Sequence, residues 1–345
     1  MMRETPWVAP PGLEGVVVAD TAISDVDGAG GRLTYRGQPI GDVVRNFRFE
    51  ELVPWLVDGV RRPNVQPLVL SLPLEPWPRD PMAALAVILL HLGDTWPDDL
   101  DEGCAMICGL PVMFGRVVGT DGDSVWDSTA GVAEQYLTLI TGKKPASVQV
   151  RALDAYWVMA AEHSLNASTF AVRIAASTGA RLPLALAAGV AVLSGPLHGG
   201  APEGVLELLD AVAERSDCPE AILEEKLQRG ERLMGFGHRV YRSVDPRAQA
   251  LREVFLDLVG TEPWADLAVR TEQAALRLLA ERHPERVLAT NVEFYAAAVF
   301  KAVGIPRLLC PPTFALARMA GWTAHWSEQH REGRLIRPLA RFRTS

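Results

Sequence analysis

The chain has 345 residues, 48% of them hydrophobic, and 42 acidic against 34 basic side chains give it a formal charge of −8. That length exceeds the usual single core, so two domains, or one inserted into a larger one, are expected. The acidic excess and the lack of a long basic tract argue against a nucleic-acid or anionic-membrane surface, yet leave room for a focused basic pocket. The longest unbroken apolar run, Met82 to Leu90, is far shorter than the roughly 18 residues of a membrane span. The opening MMRETPWVAPPGLEG lacks the charged-then-apolar layout of a secretion signal, so a soluble, cytoplasmic protein is expected. The cysteines imply no disulfide framework. Cys104 and Cys108, one helical turn apart with no other ligand types nearby, read as buried thiols rather than zinc ligands.

In chain order, VVVADTAISDVDGAGGRLTYRG reads as short strands around an Asp-Gly and a Gly-Gly turn, followed by a compact Tyr35-Arg36-Gly37 unit. Helical spacing takes over from Asp42, with Phe49, Leu52, Val53 and Leu56 on one stripe, and Pro63 to Pro81 acts as a connector. Helices are predicted near 81–92, 102–119 and 127–141, and a periodic segment runs from Val148 to Glu162. It ends at His163, after which Asn166 is the expected N-cap of the next helix. Pro183 to Ser194 is apolar on all faces, as in a helix buried in a large core or a subunit interface. It stops at Gly195-Pro196, and the loop GPLHGGA carries His198 before Pro202 takes the first turn of another helix.

Asp217 and Glu220 have capping-box spacing around Pro219, at the start of a helix bearing Leu223, Leu227 and Met234. Amphipathic helix returns after Asp245-Pro246-Arg247 as far as about Leu258, and again from Trp264 to Arg282. Thr290-Asn291 opens a helix whose first turn holds Glu293, where the helix dipole favours a carboxylate. Gly304 and Pro306 stop it, Cys310 to Thr313 precede a final long helix containing Arg318, and Arg337-Pro338 falls in the terminal tail. The pattern is nearly all helix, with the chemistry-bearing residues at helix ends.

The stretch Met234 to Arg247, MGFGHRVYRSVDPR, sets His238, a proton-transfer group, among fixed positive charges in a glycine-rich, flexible backbone. Arg239, Arg242, Arg247 and Arg252 form a local cationic patch, so a small anion or a phosphorylated cofactor is the expected visitor. An ordinary loop with a solvated basic rim fits as well. Taken singly, His163 and His198 fit structural histidines more readily than catalytic ones, Glu293 fits a helix-start acid, and Arg318 an ordinary helix arginine. His325 and His330 miss the one-turn spacing of a His-Glu-x-x-His zinc site and read as structural. Trp322 and Trp326 read as core or interface packing.

As an ordered series, however, AEHSLNASTF, GPLHGGAPE, MGFGHRVYRSVDPRA, TNVEFYAAAV and FALARMAGWTAHWSEQ resemble the citrate synthase family, together with LTYRGQPIGDV near the start and RLIRP near the end. The nearest likeness is to short, dimeric actinobacterial members of the kind called citrate synthase 2, with 2-methylcitrate synthase close by. The resemblance implies a mainly α, two-domain helical fold with a small β feature near the N-terminus. A large, dimerising domain would comprise residues 1–203 plus 305–345, and a small domain, 204–304, would lie on the CoA side of the cleft. It further implies a Si-type acyltransferase of the tricarboxylic acid cycle that converts acetyl-CoA, oxaloacetate and water to citrate and CoA through an enol and citryl-CoA. The CoA thioester is then a co-substrate, with no metal and no tightly bound cofactor.

Residue by residue, the resemblance makes His198 the donor to the thioester oxygen, His238 the group that polarises the ketone, and Glu293 the base. His163 matches an oxaloacetate-binding histidine, Arg247 and Arg318 match arginines on its carboxylates, and Arg337 matches one offered to the neighbouring site of a homodimer. Gly235, Phe236, Gly237 and Arg239 fall beside CoA. One position departs from the pattern: the family's base is usually aspartate in Asn-Val-Asp, whereas this chain reads Asn291-Val292-Glu293. The extra methylene of Glu293, and the small energy by which one methylene on an acyl group is discriminated, leave three readings open. These are a citrate synthase with compensating geometry, a 2-methylcitrate synthase using propanoyl-CoA, and a weakly active or inactive ligand-binding or regulatory paralogue.

Overall fold

The computed structural model describes residues 7–342 except 74–75, 120–126, 199–200, 216–217, 239, 242–243 and 260–262. Strands β1 (Ser24–Asp27) and β2 (Arg32–Tyr35) pair antiparallel with Ser24 opposite Tyr35, and β3 (Gln38–Pro39) completes a small sheet in the order β1-β2-β3. The two residues joining β2 to β3, Arg36 at φ 46° and Gly37 at φ 80°, take the left-handed conformation that so tight a hairpin requires.

The rest is helical, with 14 α-helices among the described residues. In the first half these are α1 (Ile40–Asn46), α2 (Phe49–Asp58), α3 (Pro81–His91), α4 (Leu100–Val118), α5 (Val132–Thr141), α6 (Ser147–Ala160) and α7 (Ala167–Ser177). In the second half come α8 (Leu182–Leu193), α9 (Ala201–Glu214), α10 (Pro219–Gln228), α11 (Pro246–Val259), α12 (Pro263–Arg282), α13 (Val292–Val303) and α14 (Cys310–Glu332). Local chemistry starts several of them. The side chains of Asp80, Asp99, Asn166 and Asn291 accept from backbone N–H groups in the first turns of α3, α4, α7 and α13.

Three boundaries differ from the sequence reading. The helix expected from 127 begins at Val132, because Asp127 turns its carboxylate onto Thr129 N and Oγ1, and Glu50 of α2 accepts from Val132 N at 2.8 Å. α10 ends at Gln228, short of Met234, which was expected on its apolar face. Asp217 of the expected capping box lies outside the described residues, the N-cap is Cys218, and Glu220 accepts from Cys218 Sγ at 2.6 Å and pairs with Arg277. The final helix begins at Cys310 itself, with prolines in its first turn, where their missing N–H costs nothing.

The main core draws on α1 to α8, α13 and α14, and takes in Leu251 and Phe255 of α11, Val205, Leu206 and Leu209 of α9, and Ala265 and Ala268 of α12. A second cluster, including Leu208, Leu223, Leu233 and Leu279, joins α9, α10 and α12. Between them α13 packs on α6, α9 and α11, so the start of α13 lies where both clusters meet. The apolar helix α8 is covered by α7 and α3, yet Leu184 and Val192 stay exposed, as do Val87 and Leu90 of α3 and Ile174 of α7. Cys104, Cys108 and Cys310 are buried thiols. Trp322 is buried in the core and Trp326 Nε1 donates to Ala180 O, while His330 stacks on Trp326. Among the described residues no helix is long and apolar enough to cross a membrane, and no cluster of His, Cys, Asp and Glu is suited to a metal ion.

Candidate active site

His163 sits between α6 and α7, at a junction clamped by the hairpin. Tyr35 Oη lies 2.7 Å from the carbonyl oxygens of Met159 and Glu162 and accepts Glu162 N–H at 3.1 Å. Ser164 then takes φ 51°, and Asn166 caps α7. This holds the His163 ring with Nε2 3.1 Å from the Tyr241 hydroxyl. Burial, reinforced by the charges of Arg247 and Arg318, keeps its pKa well below the usual imidazole range.

His198 follows α8, with Nε2 2.8 Å from Ser168 Oγ, which is also 2.8 Å from Asn166 Oδ1. The hydroxyl has one hydrogen for two acceptors. His198 can therefore offer an Nδ1–H to a ligand oxygen only when Ser168 gives its hydrogen to Nε2 rather than to Asn166. Burial, with Arg318 adding to it, also lowers the His198 pKa.

Residues 235–237 are hydrogen-bonded to residues 289–291. Gly237 N donates to Ala289 O at 2.8 Å, Asn291 N to Gly235 O at 2.9 Å, and Asn291 Nδ2 to Gly237 O at 2.8 Å. Gly235 at φ 90° and Gly237 at φ 76° are needed for their backbone conformation, and a Cβ at Gly235 would lie 3.1 Å from Phe294 Cβ. His238 emerges from this clip with Nδ1 accepting from Val240 N at 3.0 Å and Tyr241 N at 3.1 Å. Its hydrogen consequently lies on Nε2, which faces Arg247 Nη2 at 3.1 Å. Two donors thus converge where an oxygen ligand would satisfy both. Burial and then Arg247, opposed by Asp245, push the His238 pKa down to about 4.

Arg247, 7% exposed, is held by Asp245, whose two oxygens accept from Arg247 N, Nε and Nη2 and from Val292 N, all within 3.0 Å. Burial opposes the arginine's charge, but the Asp245 pair outweighs it. Arg318 contrasts with it. The side chain is 4% exposed and donates from Nε to Ala160 O at 2.9 Å, yet no carboxylate lies within 4.0 Å among the described residues. Glu293 is partly buried in the first turn of α13, where Asn291 already does the capping, and its side chain makes no hydrogen bond or ion pair among the described residues. Burial raises its pKa, Arg247 pulls it back and Asp245 raises it further.

The structure thus brings His163, His238 and Arg247 into contact or near-contact. Arg318 acts electrostatically on both His163 and His198, and Arg247 on Glu293. Arg337 is exposed in the tail and does not join them. Of the expected cationic patch, only Arg247 and Arg252 are described, and each lies beside a carboxylate. Arg239 and Arg242 lie outside the described residues, Arg247 is neutralised by Asp245, and Arg252 lies 3.5 Å from Glu272, which also accepts from Thr290 and Tyr295. Phe236 bridges Thr290 and packs on Phe294.

A family model described as citrate synthase, C-terminal domain, matches residues 12–339. The chain belongs to the citrate synthase family. Its similarity to a protein named putative citrate synthase 2 from Mycobacterium tuberculosis is 41% identity, covering 96% of this chain and 91% of the relative. It is 34% identical to citrate synthase 2 of Bacillus subtilis, over 95% of this chain and 94% of that one. A 2-methylcitrate synthase of Shewanella oneidensis is 31% identical, with 95% and 93% covered. The fold is that of the Thermoplasma acidophilum citrate synthase in its ternary complex with carboxymethyl coenzyme A and oxaloacetate, at TM-score 0.80 and 24% identity over 97% and 96% of the two chains.

Within this family framework the sequence reading left out four residues that hold the site together. Asp245 had a legible signal, since Asp-Pro at a helix start is a capping pattern and Arg247 N does bond Asp245 Oδ1. Ser168 follows the N-cap Asn166 by one turn position, but its contact with His198 spans two helices. Tyr241 and Glu162 carried no local signal, because their partners come from distant elements.

Proposed function

We propose that the chain is a cytoplasmic, Si-type citrate synthase that condenses acetyl-CoA with oxaloacetate and water to give citrate and CoA. The observation that carries this reading is that His238 Nε2 and Arg247 Nη2 meet at 3.1 Å beside His163, with Arg318 buried, in no direct ion pair among the described residues and close enough to act on His163. Such a set fits a substrate with one ketone and two carboxylates. Arginine grips a carboxylate through its planar fork and stays charged at any working pH, while a neutral histidine donates to a ketone without giving up its proton.

In the proposed sequence Glu293 takes a proton from the thioester methyl as His198 donates to the thioester oxygen, giving the enol. Its carbon attacks the ketone polarised by His238, forming citryl-CoA, and water then cleaves the thioester to citrate and CoA. Raising a carboxyl's pKa makes it a better base, and losing an oxyanion donor such as His198 typically costs about 10²–10³-fold. Residues 204–304 act as a small domain closing on the remainder and excluding water. The second copy of a homodimer covers the exposed apolar residues of α3, α7 and α8 and receives the tail, with Arg337 completing the neighbouring site. Gly235, Phe236 and Gly237 lie on the CoA side, and Arg239, outside the described residues, is assigned to CoA by the family pattern alone.

The 31% identical relative named 2-methylcitrate synthase supports a second reading, propanoyl-CoA as acyl donor. A single methylene is discriminated by only about 1–3 kcal/mol. Steady-state CoA release with oxaloacetate and acetyl-, propanoyl- or longer acyl-CoA decides between them. Tight oxaloacetate binding without turnover on any thioester would instead mark a ligand-binding paralogue. Glu293→Gln should abolish turnover and spare oxaloacetate binding; unchanged turnover removes Glu293 as the base.

A further inference from the structure

Behind the histidines lies a buried charged network that the reaction leaves unused. Glu162 is wholly buried and directly precedes His163. Its Oε1 accepts from Ser24 Oγ at 2.9 Å and from His325 Nε2 at 3.1 Å, while Oε2 has no hydrogen-bond partner. On its other side His325 Nδ1 lies 3.0 Å from Arg173 Nη1. A guanidinium only donates, so Nδ1 is the acceptor and the ring hydrogen sits on Nε2, facing Glu162. Arg173 is already matched by Glu328 at 2.7 Å and Glu332 at 3.8 Å. The carboxylate of Glu162 is thus left without a full cation in direct contact.

The turn of α14 that carries Arg318 packs on Ala160, Ala161 and Glu162. Arg318 Nε donates to Ala160 O at 2.9 Å, Gly321 N to Ala161 O at 3.2 Å, and a Cβ on Gly321 would lie 2.4 Å from Glu162 Oε2. Arg318 and Glu162 are two buried, opposite charges, brought near each other by these contacts, acting on each other electrostatically and without another full partner among the described residues. We propose that Glu162 is a positioning residue, the buried counter-charge that holds Arg318 in the empty site and sets how strongly Arg318 attracts an incoming carboxylate. The proposal rests on the reading of Arg318 as a carboxylate-binding residue.

A buried guanidinium with no counter-charge is strongly unfavourable, and a direct ion pair would occupy the N–H groups a substrate needs. A carboxylate nearby but out of contact meets both requirements. It also offsets part of the pull on the substrate, which lets a tricarboxylate product leave. Glu162→Gln keeps the shape and the oxygen that Ser24 and His325 use, and removes only the charge. It should therefore move two quantities in opposite directions. The empty protein becomes less stable, while oxaloacetate binds tighter by about tenfold at the effective dielectric of a protein interior. A merely structural role would weaken stability and binding together.

The test is calorimetric titration of the full chain with oxaloacetate, and thermal unfolding without ligand of the wild type, Glu162→Gln, Arg318→Gln and the double variant. The expected result is tighter binding in Glu162→Gln, a lowered melting temperature, and recovery of much of that loss in the double variant. Unchanged or weaker binding by folded Glu162→Gln overturns the proposal, as does an additive unfolding cycle. If Glu162→Gln does not fold, folding of the double variant supports the pairing and its failure overturns it. A wild type that does not bind oxaloacetate defeats the functional reading, while the unfolding cycle still decides whether Glu162 is the counter-charge.

Discussion

Asp245 ties the substrate arginine to the helix that carries the base, so Asp245→Asn should disturb both together. Four N–H donors converge on its carboxylate: Arg247 N and Nε on Oδ1, and Arg247 Nη2 and Val292 N on Oδ2. Asparagine replaces one of those oxygens with an NH2 group, which turns two attractions into donor-to-donor contacts. Bonds to charged groups are worth about 1.5–3 kcal/mol each, and Arg247, 7% exposed, loses its counter-charge as well. The total is about 3–5 kcal/mol, the usual range for breaking a buried pair. For a chain of this length that corresponds to a melting temperature lower by roughly 4–7 °C. Glu293 follows Val292 directly, and a shift of about 1 Å in a reacting group costs on the order of 10²-fold, so kcat/KM should fall by at least that much. Thermal unfolding followed by circular dichroism, and thiol release from acetyl-CoA, measure the two effects. A melting temperature within about 2 °C of wild type, with activity within about threefold, would refute the view that Asp245 organises this corner.

Two further outcomes follow from other parts of the site. His163, His198 and His238 all have folded pKa values below that of a free imidazole, His238 near 4. The unfolded chain therefore takes up protons first as pH drops below about 6.5, and the stability these neutral rings contribute is lost progressively towards pH 4. Melting temperature should fall along that acid limb and His238→Asn should flatten it; a parallel curve would exclude His238 as a source. At Gly28 an added Cβ would lie 2.3 Å from Val240 O, on the residue whose N–H holds His238 Nδ1. Gly28→Ala should cost about 1–3 kcal/mol and lower kcat, and wild-type behaviour in both would show that the hairpin turn does not brace the histidine.

The helix starts at Asn166 and Asn291 were legible because a cap bonds residues two or three positions away, a distance the sequence itself displays. The start of α5 was not. Its first N–H is satisfied by Glu50, 82 residues earlier, and no local pattern reports that contact. The same distinction runs through the site. Gly235 and Gly237 could be seen as backbone-permissive positions, but whether they loosen or pin the chain depended on residues 289–291 pairing beside them.

The sequence by itself determined the helical class, through apolar spacing and caps, and the ordered set of histidines, arginines and one acid that marks the citrate synthase family. Only the tertiary structure decided the electrical state of those groups. Arg247 and Arg318 are indistinguishable as letters, yet one is neutralised by Asp245 and the other lies buried with no carboxylate in ion-pair reach among the described residues. The tautomers of His198 and His238 are likewise governed by different neighbours, Ser168 in one case and two backbone amides in the other. Charge compensation and tautomer depend on atoms a few ångströms away in space, and in this fold those atoms come from distant elements as often as from adjacent residues.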